Sequence, residues 1–507
     1  MERTIEVLDC TLRDGGRAFL NIWGDKNIDN ISKGLKDSRI DIVEIGYLYY
    51  ITQTCLMRGG RAIFTSIDEL KPFLQPNQKY VALLDYSVYK KKFFQLPISD
   101  GALYGIRLAI LKDEIDESIN FMKEIKEKGY KLLIQAVEII SYSDEELIYM
   151  AKKINEVKPH SIGIADTYGS MYIEDLKRIY KILDENIDKD ISIDFHGHDN
   201  IKLSFALALT LIEIAKDRNL VIDSTLAGVG MGAGNLPTEI ICRYLNDKHN
   251  KNYKINSIVN LIDKYINVFK QEYVWNSDIL SYESAIEGKN QYVLSYIKNQ
   301  YSNLDINEKR AIMGICPISK GASDAKMDMI YNIIREKDDN GDILKLNDKI
   351  NQNVLLVAGG PSIHNEADKI KEYIASSNAT VIYINHRENF YNVSENRAFY
   401  WFMDEKKCQE HIDRYTSKNV IALKGVNKEA EYCIGYNIFD DCEVHSGDSV
   451  FMLLNILSQL KETINVQIAG MDGGGADNLQ ISCFKKYMDY FREKINVEFL
   501  TKSIYGD

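Results

Sequence analysis

The sequence predicts an α/β protein: an N-terminal (β/α)8 barrel, a helical extension and a C-terminal Rossmann-like α/β domain. Three observations carry that expectation. Eight apolar, β-branched runs recur through the first half of the chain, amphipathic segments with helical spacing separate most of them, and a strand pattern restarts after a polar stretch near residue 350.

The eight runs are IEVLD (5–9), DIVEIGY (41–47), YVALLD (80–85), YGIRLAI (104–110), KLLIQAV (131–137), SIGIAD (161–166), ISIDFH (191–196) and LVIDST (220–225). Between them lie helix-patterned segments such as EIDESINFMKEIKEKG (114–129) and SDEELIYMAKKINEV (143–157). Eight buried strands alternating with helices is the pattern of a closed parallel barrel, and the count favours that over an open doubly wound sheet. Arg13, Asp14, Glu44, Asp166, His196 and His198 fall at or just after strand ends, where such barrels carry their catalytic face.

At 507 residues the chain exceeds one ordinary core, so two or three domains are expected. The barrel is assigned to residues 1–254, a helical extension and linker to 255–345, and the Rossmann-like domain to 346–507. REKDDNGDILKLNDKINQN (335–353) reads as the linker. NVLLVAGGPS (353–362), ATVIYIN (379–385), AFYWFMD (398–404), NVIALKG (419–425), VQIAGMD (466–472) and VEFL (497–500) read as strands of the second domain.

Hydrophobic residues at 45% and charged residues at 27% describe an ordinary globular chain, and a net charge of −12 argues against a nucleic-acid binder. No apolar run approaches the length of a membrane span, and MERTIEVLDCTLRDGG lacks the apolar core of a signal peptide. A cytoplasmic protein, acting as a homo-oligomer without membrane or nucleic-acid partners, is expected. Its 8 cysteines include no CxxC pair, so reduced thiols are expected in place of a zinc finger or a disulfide framework.

The His196-Gly197-His198 segment closes a strand. Residues i and i+2 of a strand share a side, so both imidazoles face one point. Asp14, following the first strand of a closed barrel, offers a carboxylate nearby. Such a mixed N/O set suits a divalent cation: Mn2+ first, with Mg2+, Co2+ or Zn2+ as alternatives.

LDCTLRDGG (8–16), VEIG (43–46), ADTYGSM (165–171), DFHGHDN (194–200) and STLAGVGMGAGNLPTE (224–239) resemble the signatures of the DRE-TIM metallolyases, the hydroxymethylglutaryl-CoA lyase-like TIM-barrel family. That family includes isopropylmalate and citramalate synthases and 4-hydroxy-2-oxovalerate aldolase, and the aldolase pattern is the nearest. The resemblance implies a carbon–carbon lyase acting on a 2-oxo acid and an aldehyde through a pyruvate-type enolate. It implies Asp14, His196 and His198 as metal ligands, with Asn235 as a further ligand or a neighbour. It implies Arg13 as the group that stabilises enolate charge and Glu44 as a residue that orients it or the metal's water. A catalytic tyrosine is expected from the helical region, where YESAIEGKNQYVLSYI (282–297) places Tyr282 and Tyr292.

Position 17 departs from that pattern. The aldolase has an acid/base histidine there, whereas this chain has Arg17. A guanidinium stays charged and cannot act as a base, so the expectation is an anionic substrate held by Arg17.

In the second domain, VAGGPSIHN (357–365) runs from strand through a glycine turn into a helix start. Amides around Gly359, Gly360 and Ser362 are expected to bind phosphate. This segment and HSGDSVFMLLNILSQL (445–460) resemble parts of sialyltransferase-like and methanopterin-diphosphokinase-like domains, implying a nucleotide or nucleotide-sugar ligand and a place in bacterial surface-sugar metabolism. Two alternatives to the aldolase stay open: acyl-CoA-dependent Claisen condensation, and a non-catalytic scaffold for the C-terminal domain.

Overall fold

The computed structural model describes residues 3–19, 21–48, 62–89, 96–317, 323–337, 341–440, 442–460, 463–476 and 478–506. The chain forms two compact units, Met1–Ile286 with Leu294–Gln300, and Glu287–Val293 with Tyr301–Asp507.

In the first unit eight parallel strands close into a barrel. They are β1 (Ile5–Asp9), β2 (Ile42–Leu48), β3 (Lys79–Asp85), β4 (Gly105–Ile110), β5 (Lys131–Ala136), β6 (Ser161–Asp166), β7 (Ser192–Gly197) and β8 (Leu220–Ser224). Neighbours in sequence pair in order, and β1 pairs with both β2 and β8 to close the ring. Each of the eight runs read from the sequence is one of these strands. A two-residue strand, Ile63–Phe64, also pairs with β2 and was not foreseen.

The outer helices follow from apolar spacing. Asp25–Asp37 buries Ile28, Ile31 and Leu35, and Asp144–Val157 buries Leu147, Met150, Ala151, Ile154 and Val157, one stripe each. Ser143 caps the second helix in a reciprocal pair with Glu146. These stripes and the outward strand positions form one large core, with each fully buried Leu, Ile or Met contributing about 1.5–3 kcal/mol.

Inside the barrel, alternation along the strands separates two layers. Leu8, Cys10, Ile42, Val81, Leu133 and Val221 form an apolar plug. Two residues further along their strands stand Glu44, Gln135 and Asp223, joined by Arg107 from β4 and Asp194 from β7, all buried. Gly163 leaves room for this layer, because a Cβ there would lie 2.4 Å from the Gln135 amide. Beyond β8 the chain continues over the barrel: Phe269 stacks on Phe19 at 4.1 Å between ring centroids, and Trp275 Nε1 donates to Ala227 O at 3.2 Å.

The second unit is a seven-stranded parallel sheet of β9 (Asn353–Val357), β10 (Thr380–Ile384), β11 (Ala398–Phe402), β12 (Val420–Leu423), β13 (Tyr432–Ile434), β14 (Asn465–Ala469) and β15 (Asn496–Phe499). Its order is β13-β12-β11-β10-β9-β14-β15, so the direction of winding reverses at β9. The helix Ser449–Leu457 is buried at every position from Val450 to Leu457, a central helix with no solvent face. The stretch read as a linker instead carries a helix, Gly341–Lys349, because Leu346 and Ile350 are apolar enough to be buried there. No helix among the described residues is long and apolar enough to cross a membrane.

The two units predict where the chain can be cut. A fragment ending at Gln300 keeps the whole barrel and is expected to stay soluble and unfold in one transition. A fragment ending near Asp342 keeps helices Ile306–Ile315 and Asp324–Arg335 without the sheet of their own unit, uncovering Ile312, Met313, Met327, Ile330 and Ile333. It is expected to aggregate. Size-exclusion chromatography and thermal unfolding of both fragments check this, and the reverse behaviour contradicts it.

Candidate metal centre

The turn after β1 is tight: Asp14 N donates to Cys10 O at 2.8 Å and Gly15–Phe19 form a 3-10 turn. This directs Arg13 and Asp14 over the carboxyl end of the barrel. His196 belongs to β7 and His198 follows it, with ring centroids 5.1 Å apart and planes at 88°. One ligand atom from each of Asp14, His196 and His198 lies within 4.8 Å of the others, and all three residues are buried. His196 Nε2 stands 3.7 Å from Asp14 Oδ2. Asn235 joins from the loop after β8, donating from Nδ2 to Asp14 Oδ2 at 2.9 Å and to Val229 O at 3.1 Å.

The donor set fits a divalent cation. Burial pushes the His198 imidazole down to about 3, which keeps it neutral, the form that coordinates metal. Burial disfavours charge on Asp14 too, but Arg13, His198 and His196 outweigh it and hold the carboxyl well below its usual range. His198 Nδ1 and Asn235 Oδ1 are buried with no hydrogen-bond partner among the described residues. Cys10, His196 and Asp223 form a second close triple. There, however, the thiol is pushed well up by burial and contacts Ser224 O at 3.3 Å, while Asp223 bonds to His196 Nδ1 at 2.7 Å. That triple supports the first and is not a second centre.

Around the triad, Arg13 donates from Nε to Glu44 Oε2 at 2.7 Å and from Nη1 to Asp14 Oδ1 at 2.5 Å. Its guanidinium lies 5.8 Å from the Tyr47 ring centroid. Arg17 brings Nη1 to 3.6 Å from Asp14 Oδ1 with its side chain 39% exposed, so a second cation borders the carboxylate and reaches solvent. Tyr282 is half-exposed and hydrogen-bonds to Tyr172. Its neighbour Ser281 accepts through its carbonyl from Asn200, two residues beyond His198. Tyr292 belongs to the second unit, where its hydroxyl donates to Asp324 at 2.6 Å. Asp166 is not turned to the triad. Its carboxylate accepts from the amides of Ser170 and Met171, and burial raises it to about 7.

Gly359, Gly360 and Ser362 follow β9 as expected, but amides there are engaged. Gly360 N donates to Gly470 O at 2.7 Å and Ser362 N to Asp472 Oδ2 at 2.7 Å, while the Ser362 hydroxyl also bonds Asp472 and meets Thr501 Oγ1 at 2.8 Å. A carboxylate thus occupies the Ser362 end of the turn.

Of the polar layer beneath the triad, Glu44 was legible in the sequence, whereas Arg107, Gln135, Asp194 and Asp223 were passed over. Arg107 donates to Asp223, to Asp194 at 3.1 Å and to Glu44 at 3.4 Å, and Gln135 donates to Asp194 at 2.7 Å. Burial and the charge of Asp223 raise Asp194 well above an ordinary carboxyl, whereas Asp223 is held low: burial opposes its charge, and Arg107 and His196 outweigh burial. The available signal was an arginine in the middle of GIRLAI and an aspartate in SIDFHG and in LVIDS, each a charge inside an otherwise apolar strand.

Residues 104–264 match the HMGL-like family model. The chain is similar to an oxaloacetate decarboxylase from Mycobacterium tuberculosis, 26% identical over 237 residues that span 46% of this chain and 68% of that protein. It is similar to a 4-hydroxy-2-oxovalerate aldolase from Geobacillus genomosp. 3, 24% identical over 247 residues, 48% of this chain and 71% of that protein. Among solved structures, the N-terminal domain of a candidate aldolase from Bacteroides vulgatus is 25% identical with a TM-score of 0.50, over 59% of this chain and all of that one. The carboxyl transferase domain of pyruvate carboxylase from Rhizobium etli shares the fold, with a TM-score of 0.50 at 15% identity over 66% of this chain and 62% of that one. Part of the barrel is thus similar to the HMGL-like family, and the chain is similar to proteins named as aldolases and as a decarboxylase.

Proposed function

We propose that the barrel is a divalent-metal-dependent carbon–carbon lyase that forms a pyruvate-type enolate from a 2-oxo acid, as a 4-hydroxy-2-oxoacid aldolase does. The observation that carries the reading is the convergence of Asp14, His196 and His198 with the buried guanidinium of Arg13. A divalent cation held by the triad, with Asn235 beside it, would supply Lewis acidity to the 2-oxo group.

The chain's own residues account for the rest. Arg13 has Nε committed to Glu44 and one Nη1 proton to Asp14, so its remaining N–H groups, on Nη2 above all, serve the oxygen on which charge develops. Glu44 fixes the plane of that fork. In the cleaving direction the substrate's 4-hydroxyl gives its proton to water, the C3–C4 bond breaks, its electron pair becomes the enolate, an aldehyde leaves and C3 takes a proton back from water. Arg17 takes no part in proton transfer; facing solvent beside Asp14, it clamps an anionic group on the aldehyde. Tyr282, on the chain that covers the loop after His198, is kept as a residue of the substrate's surroundings.

The same arginine favours a second reading, decarboxylation of a 2-oxo acid that carries a β-carboxylate. There the electron pair of the breaking C–C bond enters the same enolate and CO2 leaves. No hydroxyl proton has to be removed, so no base is required at position 17. For the C-terminal sheet, a nucleotide or nucleotide-sugar ligand is supported by the reversal of strand order at β9 and opposed by the Asp472 carboxylate on Ser362.

Asp14→Ala and His196→Ala are expected to lose bound Mn2+ or Co2+ while far-UV circular dichroism stays unchanged. Elemental analysis checks this, and a full complement of metal in the double variant would remove the triad from the reading. Arg13→Lys is expected to lower kcat about 10²–10³-fold with little change in KM, because a point charge cannot reproduce the fork and the lost interaction belongs to the transition state. Near-normal kcat would exclude Arg13 from the chemistry.

Arg17 decides between substrates. Wild type is expected to prefer an aldehyde bearing phosphate or carboxylate over acetaldehyde, and Arg17→His to reverse that preference by removing the clamp and restoring a base. Values of kcat/KM for both aldehydes, and for oxaloacetate, make the comparison. Turnover of oxaloacetate with neither aldehyde accepted selects the second reading, and an aldehyde ratio unmoved by the substitution returns Arg17 to the surface.

A further inference from the structure

The buried layer beneath the triad is organised around two carboxylate oxygens. Asp223 Oδ2 accepts from Arg107 Nη2 and meets His196 Nδ1 at 2.7 Å. Glu44 Oε2 accepts from Arg107 Nη1 at 3.4 Å and from Arg13 Nε at 2.7 Å. Each oxygen is therefore shared between Arg107 and one residue of the proposed site. The residues at the far ends of these two arms, His196 and Arg13, meet again at Asp14. Arg107 is wholly buried, and its third partner, Asp194, is held in turn by Gln135.

We propose that Arg107 is the positioning residue of this centre, holding His196 through Asp223 and Arg13 through Glu44; the inference rests on the metal-centre reading above. A carboxylate only accepts, so the bond to Asp223 puts the imidazole proton on Nδ1 and leaves the Nε2 lone pair turned toward Asp14 and the cation site. Carboxylates behind metal-bound imidazoles fix tautomer and ring plane in this way. Here the carboxylate is itself fixed by a planar fork that spans to the second arm. A lysine would present one point charge and could not hold both oxygens.

Full-length protein with 15N-labelled histidine, stripped of metal with EDTA, tests the proposal without turnover. The expected wild-type spectrum shows His196 protonated on Nδ1. Asp223→Ala, which removes the acceptor from Nδ1, is expected to mix the tautomers, with the Mn2+ dissociation constant raised about 10–100-fold. Arg107→Lys is expected to broaden or mix the tautomers, weaken Mn2+ binding in the same range, and lower kcat with little change in KM. If Arg107→Lys does not fold, Arg107→Gln with Asp194→Asn takes its place. A folded Arg107 variant with the wild-type tautomer and Mn2+ affinity overturns the proposal, as does Asp223→Ala with an unchanged tautomer. Wild type that binds no Mn2+, yet whose tautomer follows Arg107 and Asp223, upholds the positioning role and defeats the metal reading instead.

Discussion

Two guanidiniums and several carboxylates are buried in the upper half of the barrel. Charges in such a place are tolerated only in pairs with satisfied hydrogen bonds, and removing one partner costs about 3–5 kcal/mol. Arg107 has three carboxyl neighbours and Arg13 has two. Each position is therefore dictated by its neighbours, and the arrangement at the mouth, Asp14 against His196 and His198, is the upper edge of that ionic layer. The apolar plug of Leu8, Ile42, Val81, Leu133 and Val221 closes the barrel below and keeps the layer dry.

This division of labour explains which parts of the molecule were legible in the sequence. A strand buried on both faces writes itself as a short apolar run, so all eight barrel strands could be read, and His196 and His198 could be assigned to one side by their spacing. Pairings across the barrel leave no local trace. Arg107 and Asp223 are 116 residues apart, and nothing in GIRLAI names its partner. Very short strands escaped for a related reason: Ile63–Phe64 and Tyr432–Ile434 are defined by the neighbour they pair with, not by any periodicity of their own. The helix Gly341–Lys349 looked like a linker because only Leu346 of its nine residues is buried.

Position 17 shows a different limit. The sequence revealed an arginine where the related aldolase pattern has a histidine, and the structure adds that this arginine borders the same carboxylate as Arg13 while reaching solvent. Two cations at one carboxylate support the proposal of an anionic 2-oxo acid as substrate. The chemistry common to an aldolase and to a decarboxylase of such acids is the enolate, the species that the proposed function assigns to the triad, the Arg13 fork and the layer that holds both.

Enolate formation can be observed without knowing the second substrate. Pyruvate incubated with the full-length protein and Mn2+ in deuterated water is expected to lose its methyl proton signal by NMR, at a rate well above that with Mn2+ alone, and EDTA is expected to stop the exchange. Exchange no faster than with Mn2+ alone would contradict the account.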